Sequence, residues 1–308
     1  MFSVFLLAAI AQEQATRDPA AWGSDHAGKP VPVYEDGNTC LFCHRTSIGP
    51  SWQTNRHATT IRGIDDEVRA KQLREIVNGA ELVLGRNEVL RFLKRSESYG
   101  AMGIHDAKWS LRENAWRDTN RQARGEWRAA HFGERCAGCH TSGVDSAAKT
   151  FQMLSLDCHT CHGVMVPEHT EDGALMLLAK KARTLPEVEI SICGACHLRG
   201  GASRSTGFPF PNNFVPGDNL FKDFQADLSR ERIAKENPGD GHIRWITRDV
   251  AINGEMKMTC TTCHDVHAQS SKKHTKVAKQ PVCFTCHIEG EPMQRVRTYE
   301  RHNATCEY

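Results

Sequence analysis

Twelve of the 13 cysteines lie in six copies of one pattern, a cysteine pair separated by two residues with a histidine directly after the second cysteine. The copies occupy residues 40–44, 136–140, 158–162, 193–197, 260–264 and 283–287, which we number sites 1 to 6 in chain order. One turn of chain carries two sulfurs and an imidazole to one face of a rigid ring. The sulfurs can add to porphyrin vinyl groups as thioethers, and the histidine can ligate the iron. This spacing is the attachment signature of c-type haem.

The cysteines predicted to bind haem are Cys40, Cys43, Cys136, Cys139, Cys158, Cys161, Cys193, Cys196, Cys260, Cys263, Cys283 and Cys286. The histidines predicted to be proximal iron ligands are His44, His140, His162, His197, His264 and His287. Zinc ribbons also use paired cysteines, but they need no histidine directly after every pair. A disulfide framework has no reason for uniform spacing, and thioredoxin-like redox pairs do not recur in this way. The pattern therefore favours six covalently bound haems over these three alternatives.

The composition predicts a protein folded around its cofactors. The chain has 308 residues, enough for two ordinary domains, but only 39% are hydrophobic and 7% aromatic. Six haems would supply the missing apolar bulk. The formal net charge is +2, and each ferric bis-imidazole haem with ionised propionates adds about −1. The basic sequence pI is therefore no argument for a nucleic-acid partner, and none is expected.

The first residues predict export. Residues 1–11 form an apolar run that ends in Ala9-Ile10-Ala11, a pattern typical of signal-peptide cleavage. The alternative is a buried N-terminal strand, since the run lacks a basic start. It is too short to span a bilayer, and no other long apolar segment follows, so we expect no transmembrane segment in the mature chain. Because c-type haem is attached outside the bacterial cytoplasm, a periplasmic or extracellular location is predicted.

The chain divides around the sites. We expect an extended leader over residues 12–38, the site 1 segment over 39–60 and a haem-free insert over 61–130. Sites 2 to 4 follow over 131–200, a loop that wraps the haem core over 201–255, and sites 5 and 6 over 256–308. Within the insert, the spacing predicts a helix over 65–77, whereas 81–96 fits helix or strand. Its tryptophans predict a small core. The phenylalanines of the wrapping loop predict burial, and a helix is expected over 223–235.

Several motifs outside the six patterns resemble one family. They are Trp52 and His57 after site 1, Gly163 and His169 after site 3, Pro216-Gly217-Asp218, Asp240-Gly241-His242, and Asp265-Val266-His267 after site 5. Together with the sites, they resemble the cytochrome c-554-like family of multihaem c-type cytochromes, most of all its longer bacterial members, over residues 40–286. The resemblance implies that His57, His169, His242 and His267 are distal ligands, each to a haem other than its own.

The expected fold is mainly α with much irregular loop, a multihaem cytochrome c fold around closely packed haems with a small mixed or β-rich insert. Ten of the 16 histidines are not proximal, enough for a sixth ligand on every iron. His131 and His302 complete the predicted distal set, with His105 and His274 in reserve. We interpret His105 and His159 as structural in the first instance.

Bis-histidine ligation shuts out substrate, so an electron carrier is favoured over a catalyst. It would serve periplasmic or extracellular respiration, with redox proteins or other cytochromes as partners. The alternatives are an oxidoreductase of small nitrogen or sulfur compounds with one open haem, and a self-associating subunit of an extracellular cytochrome filament. His26 and His302 would suit contacts between such subunits.

Cys306 is the one cysteine outside the pattern. We expect it to be the first cysteine of an interrupted seventh site, because its spacing from His287 resembles the spacing between sites 2 and 3. The alternatives are a free thiol or an intermolecular disulfide.

The six patterns predict six haem additions per chain. Mass spectrometry of the purified, fully matured protein should show the chain mass plus six haems. The Cys283→Ala and Cys286→Ala double variant should lose one. Fewer than six additions to the wild type, with maturation shown to be complete on a known multihaem control, would contradict the count.

Overall fold

A computed structural model of the chain describes residues 19, 27–67, 69–86, 88–117, 125–179, 185–236, 238–252 and 259–268. Sites 1 to 5 fall within these ranges. Site 6 lies outside them, as do His26, His274, His302 and Cys306. The predicted signal peptide over residues 1–11 lies outside them as well.

The helices are short, and they carry the sites. In chain order they are α1 Gly37–His44, α2 Gly49–Trp52, α3 Ala70–Ile76, α4 His131–Arg135, α5 Ala137–His140, α6 His159–His162, α7 Pro186–His197, α8 Leu220–Asp223, α9 Arg230–Ile233, α10 Pro238–Trp245 and α11 Cys260–Cys263. Tighter 3-10 turns cover Ile64–Asp66, Pro167–Thr170 and Gly173–Leu175, and a π-helical segment, Ile246–Ile252, follows α10. In each of the five described sites, the helix ends at the predicted proximal histidine or one residue before it.

This placement has a geometric cause. In an α-helix, residues three and four apart lie on one face, one above the other. The two cysteines of a site are three residues apart, and the histidine follows the first cysteine by four. A single helical turn therefore aims both sulfurs and the imidazole at the same side, as attachment to one flat ring requires.

The residues between sites 1 and 2 form an antiparallel sheet. The strands of the chain are β1 Ile61–Gly63, β2 Leu82–Leu84, β3 Val89–Arg95, β4 Met102–Ser110, β5 Ala115–Arg117, β6 Trp127–Arg128, β7 Thr141–Ser142, β8 Met153–Leu154, β9 Ala202–Ser203 and β10 Phe224–Gln225. The first six make one sheet in the order β1-β2-β3-β4-β5, with β6 also paired to β4. The segment over 81–96, which fitted helix or strand in the sequence, is thus β2 and β3. The insert predicted as mixed or β-rich is this sheet.

Both faces of the sheet are buried. Along β3, Leu90 and Phe92 point to a cluster with Leu73 of α3, while Leu93 points to the opposite cluster with Phe132 of α4. The second cluster also contains Ala137 of site 2. The sheet therefore packs directly against the helices that carry site 2. Burial on both faces also explains why the sequence of β2 lacks the alternation of a half-exposed strand.

Tryptophans pack in the cluster that contains Phe92 and Leu73. Trp109 in β4 and Trp116 in β5 are direct cross-strand partners, with ring centres 5.0 Å apart at 78°. Trp127 in β6 meets the edge of His105 in β4 at 5.0 Å. The small tryptophan core predicted for the insert is confirmed.

Two helix predictions were wrong in extent. The helix expected over 65–77 is α3 alone, preceded by the 3-10 turn Ile64–Asp66, because Glu67 is extended between them. The helix expected over 223–235 is only α9. Phe224 and Gln225 pair with β9 instead, and the Ser229 side chain caps α9 by accepting from the Arg232 backbone N–H at 3.2 Å.

The long loop after site 4 closes over the body of the molecule. Of the five phenylalanines predicted to be buried, Phe210, Phe221 and Phe224 are buried, whereas Phe208 and Phe214 are only partly buried. Asn213 extends this contact to the leader, because its side-chain amide donates to the Lys29 carbonyl at 2.7 Å. In the described part of the chain, no helix is long and apolar enough to cross a membrane.

The sheet core predicts a stability effect separate from the sites. Phe92 is fully buried, so Phe92→Ala should cost about 3–5 kcal/mol of unfolding free energy through lost burial and a cavity. Thermal unfolding followed by far-ultraviolet circular dichroism measures the change. Tyr99→Ala is the matched control, because Tyr99 is exposed and should shift stability by less than about 0.5 kcal/mol. Equal effects of the two variants would contradict this account.

Candidate haem-binding sites

Cysteines of different sites lie next to one another. Cys139 of site 2 donates to the Ala195 carbonyl of site 4 at 4.0 Å, and Cys196 of site 4 donates to the Gly138 carbonyl of site 2 at 3.5 Å. The sulfurs of Cys193 in site 4 and Cys260 in site 5 lie within 4.8 Å of each other. Site 4 therefore touches both site 2 and site 5.

Sites 1 and 3 form a second neighbouring pair. The backbone N–H of Gly37, which begins the helix of site 1, donates to the Asp157 carboxylate at 3.1 Å. Asp157 directly precedes site 3. The thiols of Cys40 and Cys158 also contact each other, which lowers the pKa of Cys40 to about 4 and raises that of Cys158. In a haem-loaded chain these sulfurs would be uncharged thioethers, which do not titrate.

The wrapping loop covers site 2. Gly138 occupies one of the two positions between the cysteines of that site, and a Cβ there would lie 2.2 Å from the Phe210 ring. Such an overlap excludes any larger residue. The phenylalanine ring and the site 2 backbone are thus in direct contact.

Two proximal histidines each lie near a second imidazole. The rings of His57 and His197 have centres 6.2 Å apart at 81°, and those of His162 and His267 have centres 5.9 Å apart at 19°. An iron between two imidazoles needs about 2.0 Å to each nitrogen and about 1.1 Å from nitrogen to ring centre, which sums to roughly 6 Å. Ordinary aromatic contacts span about 4.5–7 Å as well. Each pair contains one predicted proximal histidine, which favours the interpretation that an iron would lie between the two imidazoles.

Hydrogen bonds fix the tautomer of two histidines. His162 Nδ1 lies 2.6 Å from the Leu177 carbonyl, and His169 Nδ1 lies 2.6 Å from the Val166 carbonyl. A carbonyl oxygen only accepts, so each Nδ1 carries the hydrogen and each Nε2 keeps its lone pair for a metal. Burial lowers the pKa of His162, and it lowers that of His140 to about 4. The imidazoles of His162 and His140 are thus neutral at physiological pH, and the neutral imidazole is the form that ligates iron.

Asn55 ties the two candidate distal ligands together. Its side-chain amide is buried and donates to the carbonyls of Val266 and Ala268, both at 2.8 Å. Its carbonyl oxygen accepts from the His57 backbone N–H at 2.8 Å. One side chain therefore holds the backbone of His57 and the backbone on both sides of His267. Sequence reasoning missed Asn55, because an asparagine in a loop is typical of any turn.

Some buried polar atoms near the sites have no hydrogen-bond partner. Among the described residues, His140 Nδ1, Arg56 Nε and Arg91 Nε are buried without a hydrogen-bond partner. Arg91 also lies near Cys136 of site 2, where its charge opposes the rise that burial causes in the cysteine pKa. Guanidinium groups bind carboxylates such as haem propionates, but the propionates lie on the edge of the ring opposite the thioether bonds. Arg91 would therefore suit a propionate of a haem other than that of site 2. The donor set, paired cysteines with a histidine directly after them, fits haem c.

Two other histidines have structural contacts. His105 is buried in β4, and its Nδ1 accepts from the Ala107 backbone N–H at 3.1 Å. His159, inside site 3, stacks on Tyr34 at 5.3 Å and pairs its Nδ1 with the Gly163 carbonyl at 2.7 Å. Both arrangements agree with the structural interpretation of these residues.

The remaining candidates keep their status as predictions. His131 begins α4, His169 lies in the 3-10 turn Pro167–Thr170, and His242 lies in α10. Trp52, predicted to pack on a porphyrin, meets the edge of His267 at 6.1 Å. The tryptophan thus lies beside the imidazole pair of site 3.

Comparisons with known proteins agree with this arrangement. Residues 94–163 match the family model described as cytochrome c554 and c-prime, and residues 253–291 match the doubled CXXCH motif. No curated protein matches the chain. The family resemblance predicted from the sequence is confirmed.

Two solved structures are similar. The outer cell wall cytochrome OcwA superposes with a TM-score of 0.54 at 18% identity, over 82% of this chain and 67% of its own. The undecahaem cytochrome from the S-layer of Carboxydothermus ferrireducens gives a TM-score of 0.48 at 16% identity, over 86% of this chain and 44% of its own. At this identity, the likeness to OcwA establishes a shared multihaem cytochrome fold.

The contacts of Asn55 predict a joint effect on both distal histidines. Asn55→Asp replaces the amide NH2 group, which donates both bonds, by one oxygen that faces two carbonyls. The variant should therefore have a lower unfolding temperature and a perturbed absorption of two haems. Calorimetry and difference spectra of the loaded protein measure both. Asn78→Asp makes the same chemical change at an exposed position and should do neither. A purely thermal effect without a spectral change would remove Asn55 from the ligand scaffold.

Proposed function

We propose that this multihaem c-type cytochrome is an electron-transfer protein that relays electrons one at a time along six covalently bound haems. The observation that carries the proposal is the pair of facing imidazoles at two sites, with ring centres at the distance that spans an iron. Haem c supplies one-electron ferric and ferrous chemistry when bound. The chain's own residues bind it, orient it and close its open coordination positions.

The ligand assignment follows from the two facing pairs. His57 would be the distal ligand of site 4, whose proximal ligand is His197. His267 would be the distal ligand of site 3, whose proximal ligand is His162. In both cases the distal histidine follows a different site in the chain, His57 after site 1 and His267 after site 5. Each iron so ligated has no open position for a substrate, which favours relay over catalysis.

The contacts between sites support a connected path. Sites 1 and 3, sites 2 and 4, and sites 4 and 5 adjoin through their attachment segments. Site 3 lies near site 4 as well, because the Cys161 thiol contributes to the raised pKa of Cys193 and Cys196. We infer that site 4 is the junction of the described sites.

An extracytoplasmic setting is part of the proposal. Thioether attachment occurs outside the bacterial cytoplasm, and residues 1–11 carry a cleavage-like pattern. The similar structure OcwA is described as an outer cell wall cytochrome. We propose other redox proteins outside the cytoplasm as the electron donors and acceptors.

The ligand assignment predicts spin-state changes. The wild type should be low-spin and bind little carbon monoxide. His57→Ala and His267→Ala should each open one iron, giving one equivalent of high-spin haem and one equivalent of bound carbon monoxide. Absorption and electron paramagnetic resonance spectra measure both. His105→Asn changes a buried histidine of the sheet and should leave every haem low-spin.

A second set of variants tests which site each histidine serves. Combining His57→Ala with Cys193→Ala and Cys196→Ala removes the haem of site 4, so the high-spin signal of His57→Ala should disappear. If that signal persists, His57 ligates another site. Stoichiometric carbon monoxide binding by the wild type would favour the oxidoreductase instead.

A further inference from the structure

A buried carboxylate connects the helix of site 4 to the helix of site 5. Glu189 lies in the first turn of α7, four residues before Cys193, and only 6% of it is exposed. Its two oxygens accept from Thr261, one from the backbone N–H at 2.6 Å and one from Oγ1 at 2.9 Å. Thr261 stands inside site 5, directly after its first cysteine. Glu189 therefore bridges two attachment motifs that are far apart in sequence.

Both oxygens of the Glu189 carboxylate accept hydrogen bonds from Thr261. The Thr261 backbone N–H can only donate, and the hydroxyl donates to the second oxygen, so both carboxylate oxygens act as acceptors. Bonds to an ionised acceptor are among the stronger hydrogen bonds in proteins. They hold the start of α11 in a fixed position relative to α7.

The same carboxylate lies beside two attachment sulfurs. One of its oxygens, Cys193 Sγ and Cys260 Sγ all lie within 4.8 Å of one another. Three such groups could hold a metal ion only if the sulfurs were thiolates. As thioethers they carry no charge and are bonded to porphyrin edges. The carboxylate would thus lie next to the edges of haems 4 and 5.

We infer that Glu189 positions haems 4 and 5 relative to each other and that its negative charge lowers the reduction potentials of both. The inference rests on the proposed function and names a residue that tunes it. A buried negative charge stabilises ferric iron relative to ferrous iron, and burial weakens the screening by water. Since the carboxylate is near both rings, it acts on the pair and leaves distant sites unaffected. Its contact with site 5 makes it a positioning residue for that part of the relay.

The charge is tested with Glu189→Gln in the fully loaded protein. Glutamine has nearly the same shape, so the ferric–ferrous equilibrium of two haems should shift about tenfold toward the ferrous form, equal to about 59 mV for a one-electron couple. Spectroelectrochemical titration resolves the components. Glu171→Gln removes an exposed carboxylate and should shift none of them. A shift shared equally by all haems, or no shift with full haem content, would overturn the inference.

The positioning role is tested with Thr261→Val. This variant removes the hydroxyl donor and keeps the charge, so the potentials should move less than in Glu189→Gln. The magnetic coupling between two neighbouring irons should weaken in the electron paramagnetic resonance spectrum. Unchanged coupling in both variants would reduce Glu189 to an electrostatic role and overturn the positioning claim.

Two outcomes separate this inference from the proposed relay. If Glu189→Gln prevents full haem loading, Glu189→Asp keeps the charge and should retain the wild-type potentials. A wild type with an open, reactive haem would contradict the relay, while the paired shift in Glu189→Gln would still support the role of Glu189.

Discussion

The whole structure depends on the spacing of three reactive atoms on one helical turn. Two sulfurs and an imidazole must reach one face of a flat ring, and residues at positions i, i+3 and i+4 of a helix do so. Each described site accordingly ends a short helix. Longer helices are not needed, because the covalent bonds and the ring, more than packing between helices, fix each site. This explains how a chain with a thin supply of apolar residues can hold a defined arrangement.

Helix α7 is central among these elements. Its end carries site 4, which adjoins sites 2 and 5, and its first turn carries Glu189. The ring of His57, in the segment after site 1, lies 6.2 Å from the ring of His197 at the end of α7. Asn55 then ties that same segment to the residues around His267. Two buried polar side chains, Asn55 and Glu189, thus join segments that lie far apart in the sequence.

The sequence was most informative where chemistry fixes spacing. The cysteine and histidine patterns predicted the class of protein, the tryptophans predicted the core of the insert, and the phenylalanines predicted part of the burial of the loop after site 4. It was less informative about helix extent, since Phe224 and Gln225 join a strand that no local pattern in 223–235 indicates. His57 lies near His197, which is 140 residues away in the sequence, and Glu189 binds Thr261, which is 72 residues away. Local sequence patterns indicate neither contact. Glu189 stands four residues before Cys193, a helical spacing that could have drawn attention to it.

The sheet between sites 1 and 2 differs from the rest of the chain in one respect. Its cluster around Phe92 and Trp109 is built from residues of the insert alone and contains no cysteine of any site. Burial of this cluster therefore requires no thioether bond. The opposite face of the sheet packs against Phe132, just before site 2, and against Ala137 and Cys136 within it. The insert thus combines one face whose packing is independent of any cofactor with a second face that a haem attached at site 2 would adjoin.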